Sequence, residues 1–477
     1  MSDNRHFDHL VEKGSPIGEV AAVNDFLVKI IGMQPVNVRS LVLFEDGSKG
    51  YVTEVGEEFT SVLHLGTESL SPGARAVVQH DDLVAKVGKD FIGRVVNVFG
   101  EPLDGKGPIA AEATWPVFSN APPLSERLGL SDQLATGVTV IDSLLPLIKG
   151  QRLAILGDSK SGKTALATQI VTNQAKSDVV VVYVLISKRR TDISNLLLRL
   201  EAAKALDNAI VVVATSFDSL TASYLAPYVG CALGEYLWQK CDRDVLVVYD
   251  DLTSHAHVYR QVALLSRMSP GRDSYPGDMF YAHSSLLERA GRLKSNQRTF
   301  TAVPLVLADS GDIAAYLPTN IMSITDGQWI LDMKVFRDTM RPAVNVGLSV
   351  SRVGGVGQNQ RQKELAAEAL KLLADYAEAE EYSHFGSELA LQAQSSLTRG
   401  KMLFQLMNQG IDEHYSVLAQ TIALDIVLHA PLDKPLDVAK LKKSANEATK
   451  DLKSDKAEDY EKLKHKLQQE SLVELKK

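Results

Sequence analysis

The amino-acid sequence predicts a multidomain protein that has an N-terminal β-barrel, a central α/β domain and a C-terminal α-helical domain. Three observations support this prediction: short alternating strands near the N-terminus, longer apolar strands between helices in the middle, and helix-rich sequence after them. The chain has 477 residues. One hydrophobic core rarely grows beyond about 250–300 residues, so a division into domains is expected.

The first predicted domain is a small closed β-barrel over residues 14–93. It follows a short polar N-terminus, residues 1–13, which we expect to be frayed. In the barrel region, Gly, Pro, Asn or Asp separates most of the short alternating runs. Several short strands at this spacing are typical of a barrel. The predicted strands are residues 20–23, 26–31, 40–44, 49–55, 61–65 and 76–79.

The second predicted domain covers residues 94–357 and opens with a proline-rich connector. Continuous apolar runs then alternate with helical stretches. A strand that is apolar at every position is covered on both faces, as in the parallel sheet of an α/β nucleotide-binding core. The principal strands are predicted at residues 153–156, 179–186, 209–214 and 245–249.

The rest of the chain is predicted to be helical, with a C-terminal domain at residues 358–435 and a charged tail at residues 436–477. Ala, Leu and Glu dominate the start of this region, and strand signals fade. The tail is dense in Lys, Glu and Asp. This composition fits a solvated helix or, alternatively, a helix that binds a partner.

Composition excludes several classes of protein. The net charge of −8 argues against a general nucleic-acid binder. Two cysteines, Cys231 and Cys241, are too few for a disulfide scaffold and favour a reducing compartment. No apolar run reaches the roughly 18 residues of a membrane span, and the N-terminus resembles neither a signal peptide nor a transit peptide. Any membrane contact is therefore expected to run through other proteins.

A phosphate-binding loop is the strongest motif in the sequence. It matches the pattern GxxxxGK[ST], follows an apolar strand and leads into a helical stretch. In such a loop, backbone N–H groups bind the phosphates, Lys163 reaches the β- and γ-phosphates, and the Thr164 hydroxyl binds Mg²⁺. The predicted ligands are ATP or ADP with Mg²⁺. The predicted contacts are Gly157, Asp158, Ser159, Lys160, Ser161, Gly162, Lys163, Thr164 and Ala165.

The partner carboxylate of the loop should end a later apolar strand. Asp250 directly follows the strand at residues 245–249 and is the predicted Mg²⁺ ligand beside Thr164. Asp251, the next residue, is predicted to cap the following helix.

A residue that activates water for ATP hydrolysis is missing from its expected place. In many relatives of this fold a Glu follows the next core strand, but here that strand is followed by Ser187-Lys188-Arg189-Arg190. A protonated lysine cannot accept a proton from water near neutral pH. Asp192 and Glu201 are expected to be surface charges on the next helix. The sequence therefore predicts a site that holds Mg-ATP but hydrolyses it poorly.

Further motifs extend over nearly the whole chain. The most diagnostic are GDIAAYLPTN at residues 311–320, SITDGQ at 323–328 and RPAVNVGLSVSRVG at 341–354. Others lie at residues 104–108, 137–143, 249–252, 275–281 and 286–290. Together these segments resemble the alpha subunit of the F-type rotary ATP synthase.

The resemblance implies a fold and a set of partners. The fold is a β-barrel, a RecA-like nucleotide-binding domain with the phosphate loop, and a helical domain. The assembly is a ring of three alpha and three beta subunits around a gamma shaft, with delta or a peripheral stalk attached. The resemblance also implies a peripheral location at the cytoplasmic side of the inner membrane, and no nucleic-acid partner. The activity is ATP synthesis or hydrolysis coupled to proton (or sodium) transport, with catalysis mainly on beta.

The resemblance also assigns roles by position. Arg352 matches the arginine that alpha extends into the catalytic site of the neighbouring beta subunit. Ser323 and Ser349 match interface positions in the same lining. On the adenine side, the matching positions are Arg341, Pro342 and Gln409.

The sequence departs from the family at several positions. Ser159, Lys160 and Ser161 replace the usual Arg, Gln and Thr of the loop, and phosphate binding is expected to survive. Lys188 replaces a Gln, and Ile411 replaces a second adenine-side Gln, which is expected to loosen base specificity. The N-terminus is short, so the helix that meets the peripheral stalk is expected to be truncated or absent. The charged tail is also unusual.

Two other classes of protein share such a core. One is a self-sufficient homohexameric ATPase, like the secretion ATPases or the Rho RNA translocase. Such an enzyme needs its own catalytic Glu, and Ser187-Lys188-Arg189 argues against one. An aromatic content of 6% also gives little support for RNA binding. The other class is an interaction protein of a specialised rotary-like machine, which the short N-terminus and unusual tail leave open.

Overall fold

The computed structural model describes residues 2–384, 391–431, 436–450 and 457–472. The strands are β1 (Ile17–Asn24), β2 (Leu27–Ile31), β3 (Leu41–Phe44), β4 (Lys49–Val55), β5 (Thr60–His64), β6 (Arg75–His80), β7 (Val84–Val87), β8 (Val95–Asn97), β9 (Ala113–Pro116), β10 (Arg127–Leu128), β11 (Ala154–Gly157), β12 (Val179–Lys188), β13 (Ala209–Thr215), β14 (Asp244–Asp250), β15 (Gly291–Leu293), β16 (Thr299–Leu307), β17 (Gly327–Leu331) and β18 (Val350–Ser351).

The helices follow the same chain order. They are α1 (Ser2–Glu12), α2 (Thr139–Leu144), α3 (Lys163–Asn173), α4 (Arg190–Ala202), α5 (Leu220–Lys240), α6 (Leu252–Leu265), α7 (Met279–Leu287), α8 (Tyr316–Ile324), α9 (Met333–Arg337), α10 (Gln360–His384), α11 (Leu391–Met407), α12 (Val417–Leu428), α13 (Val438–Ala448) and α14 (Ala457–Ser471). Among the helices of the described ranges, none is long and apolar enough to cross a membrane.

The chain divides into two compact units. The barrel unit comprises Met1–Leu128, Ser177–Val306 and Ala314–Ile324. The helical unit comprises Gly129–Lys176, Leu307–Ile313 and Thr325–Lys477. The predicted three-part fold class is confirmed: a β-barrel, a nucleotide-type α/β region and a helical C-terminal region are all present.

The barrel closes in the strand order β1-β2-β5-β4-β3-β6, with antiparallel neighbours throughout. Its inward side chains, among them Val28, Ile30 and Phe44, form one buried core. The expectation of a frayed N-terminus was wrong. Residues from Ser2 onward form helix α1, and its buried Phe7 packs against Leu43 and Val77 on the outside of the barrel. The apolar surface that covers Phe7 explains why this polar segment is helical.

The barrel unit also contains a parallel sheet in the order β16-β14-β12-β13-β8. Strands β12 and β14 are buried along nearly their whole length, which confirms the sequence-based prediction for these runs. In their register, Leu185 lies opposite Asp250. Because the two strands run parallel, their polar carboxyl ends meet at one edge of the sheet.

The helical unit holds strands β11, β17 and β18. β11 and β17 are parallel, and β18 pairs antiparallel with β17. The charged tail is not simply solvated. Tyr460 and Leu467 of α14 are buried, the Tyr460 hydroxyl donates to Asp425 Oδ2 on α12 at 2.9 Å, and Lys464 Nζ lies 2.7 Å from Asp425 Oδ1. The described parts of the tail therefore pack on the helical domain, while residues 451–456 and 473–477 lie outside the described residues.

A buried ion pair joins α5 to the segment before β15. Arg289 Nε donates to Glu235 Oε1 at 2.8 Å, and both side chains are 1% exposed. Arg289 also donates to the Val117 carbonyl at 3.0 Å, and Trp115 Nε1 donates to Glu235 Oε2 at 3.3 Å. The two buried charges thus compensate each other, and Arg289 also satisfies the Val117 carbonyl.

We expect Glu235→Gln to lower the free energy of unfolding of the barrel unit by about 3 kcal/mol or more, because it leaves a buried Arg289 charge uncompensated. Urea titration followed by intrinsic fluorescence measures this loss. Glu45→Gln is the matched control, since the Arg75–Glu45 pair is 54% and 39% exposed and such pairs contribute about 1 kcal/mol at most. Equal losses in the two variants would contradict the prediction.

Candidate functional site

The phosphate loop in the helical unit connects β11 to α3. Gly162 is the residue before the helix and has φ +102°, while Lys160 has φ +60°. Both conformations are left-handed, which Gly adopts without strain and Lys does not. The N-cap residue of α3 is Gly162, which has no side chain that could cap this end of the helix. A helix N-terminus in this state favours an anion such as phosphate.

Close packing explains the first glycine of the loop. A Cβ atom on Gly157 would lie 2.6 Å from Ser161 Oγ and 2.8 Å from the Leu331 carbonyl oxygen. Any larger residue would therefore push the loop away from β17. The Ser161 hydroxyl is buried and, within the described part of the chain, has no hydrogen-bond partner. A buried unpaired hydroxyl is unfavourable, so a ligand that bonds to it would stabilise the loop.

Two side chains of the loop carry the predicted phosphate chemistry. Lys163 Nζ donates to the carbonyls of Gly157 at 2.8 Å and Asp158 at 2.7 Å, so the ammonium group lies against the loop itself. Thr164 is exposed in the first turn of α3. A hydroxyl at this position suits a Mg²⁺ ligand.

The predicted adenine-side residues form one cluster in the helical unit. The Gln409 N–H donates to the Arg341 carbonyl at 2.7 Å, and the Arg341 N–H donates to Asn408 Oδ1 at 2.9 Å. The Arg341–Pro342 peptide bond is cis. The Arg341 guanidinium lies 3.4 Å from the Phe336 ring centroid. The structure therefore brings Arg341, Pro342 and Gln409 together.

The amide group of Gln409 is occupied within the fold. It accepts from the Thr139 N–H at 2.9 Å and donates to the carbonyls of Gly137 and Glu413, both at 2.6 Å. Gln409 therefore positions this region through its backbone and side chain, and its amide is not oriented for reading a base. Ile411 lies two residues further along.

Asp142 is a site-positioning residue that the sequence analysis included in a motif but did not single out. Its carboxylate accepts from the backbone N–H groups of Thr136 and Gly137, both at 2.9 Å, and from Gln420 Nε2 at 3.0 Å. Burial raises the pKa of Asp142, although these hydrogen bonds oppose the shift. Asp142 thus links the segment before α2 to α12 of the helical domain. The signal in the sequence was an acid just inside a short apolar helix.

The second group of predicted residues lies in the barrel unit, at the carboxyl ends of β12 and β14. Lys188 Nζ lies 2.6 Å from Asp250 Oδ1 and 2.9 Å from Asp251 Oδ2. The Tyr183 hydroxyl donates to Asp250 Oδ2 at 3.0 Å. Asp251 caps α6, as predicted, by accepting from the Ser254 N–H at 2.6 Å. We call Lys188, Asp250 and Asp251 the strand-end cluster.

Electrostatics keep Lys188 and Asp251 ionised. Burial lowers the pKa of Lys188, but the charges and hydrogen bonds of Asp250 and Asp251 outweigh burial and raise that pKa above its usual value. For Asp251, burial raises the pKa, but the Lys188 charge and the bonds to Lys188 and Ser254 bring the pKa below its usual value. Lys188 is therefore protonated at neutral pH and cannot take a proton from water. Asp192 and Glu201 are exposed, in agreement with the surface roles expected for them.

Arg352 projects from the end of β18 in the helical unit. It is exposed, and its guanidinium makes one weak contact, to the Thr325 carbonyl at 3.4 Å. Its backbone is fixed, because the Arg352 N–H donates to the Asp326 carbonyl at 3.0 Å. Asp326 in turn is held by Arg152 through two bonds of 3.0 and 2.6 Å. The backbone of Arg352 is thus fixed by hydrogen bonds, while its side chain has no carboxylate partner among the described residues.

Ser349 and Ser323 differ in accessibility. Ser349 is 6% exposed; its hydroxyl donates to the Asn345 carbonyl at 2.7 Å and accepts from the Ile330 N–H at 2.9 Å. Ser349 therefore fixes the segment that leads into β18, and its hydroxyl does not point to the surface. Ser323, on α8 of the barrel unit, is exposed, and its hydroxyl donates to the Asn320 carbonyl at 2.7 Å.

Comparison with known proteins gives a consistent result. The ATP synthase alpha/beta family, nucleotide-binding domain, matches residues 137–351, and the ATP synthase alpha/beta chain, C terminal domain, matches residues 358–477. ATP synthase subunit alpha of Dehalococcoides mccartyi is 39% identical over 444 residues, which cover 91% of this chain and 88% of that protein. The proteins of the same name from Caldanaerobacter subterraneus and Aquifex aeolicus are 40% and 39% identical, covering 89% and 88% of this chain and 84% of each relative.

We expect Lys163→Gln to weaken ATP binding by at least about tenfold, because a charge-assisted hydrogen bond to phosphate is lost. Equilibrium titration of the purified chain with ATP measures the change. Lys176→Gln is the control, since Lys176 is an exposed lysine in the turn after α3. Unchanged affinity in Lys163→Gln would show that the loop does not bind the phosphates of ATP.

Proposed function

The chain belongs to the ATP synthase alpha/beta family, and we propose that it is the alpha, regulatory subunit of an F-type ATP synthase, which binds nucleotide without hydrolysing it appreciably. The observation that carries the non-catalytic role is the strand-end cluster. Where a catalytic Glu would stand, the chain places Lys188, and this lysine is held by two carboxylates. A cation in this place cannot activate water.

The nucleotide ligand is ATP or ADP at the phosphate loop. The N-terminus of α3, which begins after Gly162, and the Lys163 ammonium supply positive potential for the phosphates. Arg341, Pro342 and Gln409 form the adenine-side lining. Mg²⁺ would supply further positive charge beside the phosphates, and the Thr164 hydroxyl suits it. The second predicted ligand, Asp250, is already bound to Lys188.

Arg352 is the residue that this subunit contributes to catalysis elsewhere. Its planar guanidinium can stabilise charge on a transferring γ-phosphate in a neighbouring subunit. Three features of the described residues support this role: exposure of the side chain, a backbone fixed to Asp326, and the absence of an ion-pair partner. Ser349 positions the strand before Arg352, and Ser323 contributes an exposed interface hydroxyl.

The proposed assembly follows from this division of roles. Three copies of the chain alternate with three beta subunits around a gamma shaft, and delta or a peripheral stalk holds the ring. The complex synthesises or hydrolyses ATP in exchange for proton (or sodium) transport. The chain itself would be peripheral, on the cytoplasmic side of the inner membrane, and would reach the membrane only through other subunits.

We expect the lone chain to bind ATP without turnover, and a mixture with its beta partner to hydrolyse ATP only when Arg352 is intact. Loss of a trans-acting arginine lowers the rate on the order of 10³–10⁵. Steady-state ATPase assays of the mixture with wild type, Arg352→Ala and Arg352→Lys measure this, with assembly checked by size-exclusion chromatography.

The control is Arg243→Ala, which removes another exposed arginine, from the turn before β14. It should leave the rate unchanged. Turnover by the lone chain on a seconds timescale would instead identify a self-sufficient homohexameric ATPase. If the mixture containing Arg352→Ala is fully active, Arg352 does not assist catalysis in the neighbouring subunit.

A further inference from the structure

The barrel unit contains a cavity of about 630 Å³ between the outside of the barrel and helices α5, α6 and α7. This volume lies within the roughly 300–1,000 Å³ of pockets that bind small organic molecules. All of the residues that line the cavity belong to the barrel unit. Neither the phosphate loop nor Arg352 is among them, and the proposed function gives this cavity no role.

Strand alternation and helix periodicity turn aromatic side chains into the cavity. Val52 of β4 belongs to the barrel core, so its neighbour Tyr51 points to the outside of the barrel. Residues four apart lie on one face of a helix, as Tyr224 and Tyr228 do on α5. We call the space the aromatic cavity, because six aromatic side chains line it: Tyr51, Phe118, Tyr224, Tyr228, Tyr259 and Tyr281.

The aromatic wall favours a positively charged group. The face of an aromatic ring carries partial negative charge and attracts cations. The rings are also close to one another: the Phe118 and Tyr228 centroids are 4.9 Å apart, and Tyr224 stacks on Tyr259 at 5.2 Å. The wall already binds one cation of the protein, since the Arg39 guanidinium lies 5.2 Å from the Phe118 centroid.

Three carboxylates add negative charge to the lining, and they belong to Glu54, Asp278 and Glu288. Two arginines also line the cavity, but Arg289 is compensated by the buried Glu235, which leaves Arg39 against three acids. Within the described ranges, no three His, Cys, Asp or Glu side chains are grouped so that they could hold a metal ion. The excess negative charge therefore suits an organic cation, and it would repel the phosphates of a nucleotide.

One buried donor in the cavity remains available to a ligand. Tyr51 is 5% exposed, and its hydroxyl makes no hydrogen bond to another described residue. By contrast, the Tyr228 hydroxyl donates to the Ala282 carbonyl at 3.1 Å, and the Tyr259 hydroxyl donates to Asp278 Oδ2 at 2.7 Å. Burial raises the pKa of Tyr51 well above its usual value, so its hydroxyl keeps its proton and can donate to an acceptor.

We propose that the aromatic cavity binds an amphipathic organic cation, which is a protonated or quaternary amine on an apolar body that also carries a hydrogen-bond acceptor. The cationic group would lie against the tyrosine rings beside Asp278. The apolar body would contact Val262 and Met268, and the acceptor would bind the Tyr51 hydroxyl. This site goes beyond the proposed function and does not rest on it.

The test is a fluorescence titration of the full-length chain with two probes. One is dansylamidoethyl-trimethylammonium, and the other is its neutral analogue, in which a tert-butyl group replaces the trimethylammonium group. Wild type should bind the cation at least about tenfold more tightly than the neutral probe, because only the cation gains from the rings and the carboxylates.

Two variants test the source of this preference. Asp278→Asn keeps an acceptor for the Tyr259 hydroxyl but removes a charge, and it should reduce the preference for the cation to about threefold or less. Asp242→Asn is the matched control, because it removes an exposed acid of the same unit from the segment before β14. This control should keep the wild-type preference.

Two further variants locate the bound probe. Ser285→Trp extends a large side chain from α7 into the cavity and should abolish binding of both probes. Tyr51→Phe removes only a hydroxyl and should weaken both probes by about threefold or more, because their sulfonyl oxygens lose a donor. Circular dichroism shows whether each variant is folded. If Ser285→Trp does not fold, the comparison of wild type with Asp278→Asn still decides the matter.

Three results would overturn the proposal. They are equal affinity of wild type for the two probes, no binding of either probe, and unchanged binding in a folded Ser285→Trp chain, which would place the probes elsewhere. None of these results affects the proposed function, since ATP binding and the role of Arg352 are measured with other ligands.

Discussion

Strands that are buried on both faces can carry polar chemistry only at their ends, and this constraint organises the barrel unit. β12 and β14 are apolar along almost their whole length, so their first available positions for charge are Lys188 and Asp250. Parallel pairing brings these positions to the same edge. The charges must then satisfy each other, because few water molecules reach them, and the short Lys188–Asp250 contact follows.

The helical unit meets the same constraint in a different way. β11 is also buried, and its end is a glycine packed so closely on β17 that a side chain has no room. Polar function passes to the backbone of the following loop and to the N-terminus of α3. Buried polar residues secure the surrounding segments: Asp142 binds the turn before α2, and Gln409 binds the residues that begin it. The phosphate loop thus combines backbone groups with the side chains of Lys163 and Thr164, while Asp142 and Gln409 hold the surrounding backbone in place.

The sequence predicted the features that depend on local pattern. The barrel strands, the buried strands β12 and β14 and the helix cap at Asp251 could be read from neighbouring residues, because strand alternation and helix capping are local. Contacts between distant residues could not be read in this way. The packing of Phe7 on Leu43, the burial of Tyr460 against Asp425 and the internal bonding of Gln409 depend on surfaces that only the folded chain brings together. Lys188 belongs to both groups: its charge was evident, but its partners were not.

Two cations near strand ends illustrate how this chain divides its chemistry. Lys188 pairs with two carboxylates of its own unit, so its positive charge is compensated within the protein. Arg352 is held mainly through its backbone, and its guanidinium makes one weak contact to the Thr325 carbonyl and none to an acid among the described residues. An exposed arginine without an internal partner retains its full capacity to stabilise an external negative charge, and its planar geometry suits phosphate. The proposed role of Arg352 in a neighbouring subunit uses this capacity, and the pairing of Lys188 with two carboxylates is the reason that we propose no catalytic role for the chain's own strand end.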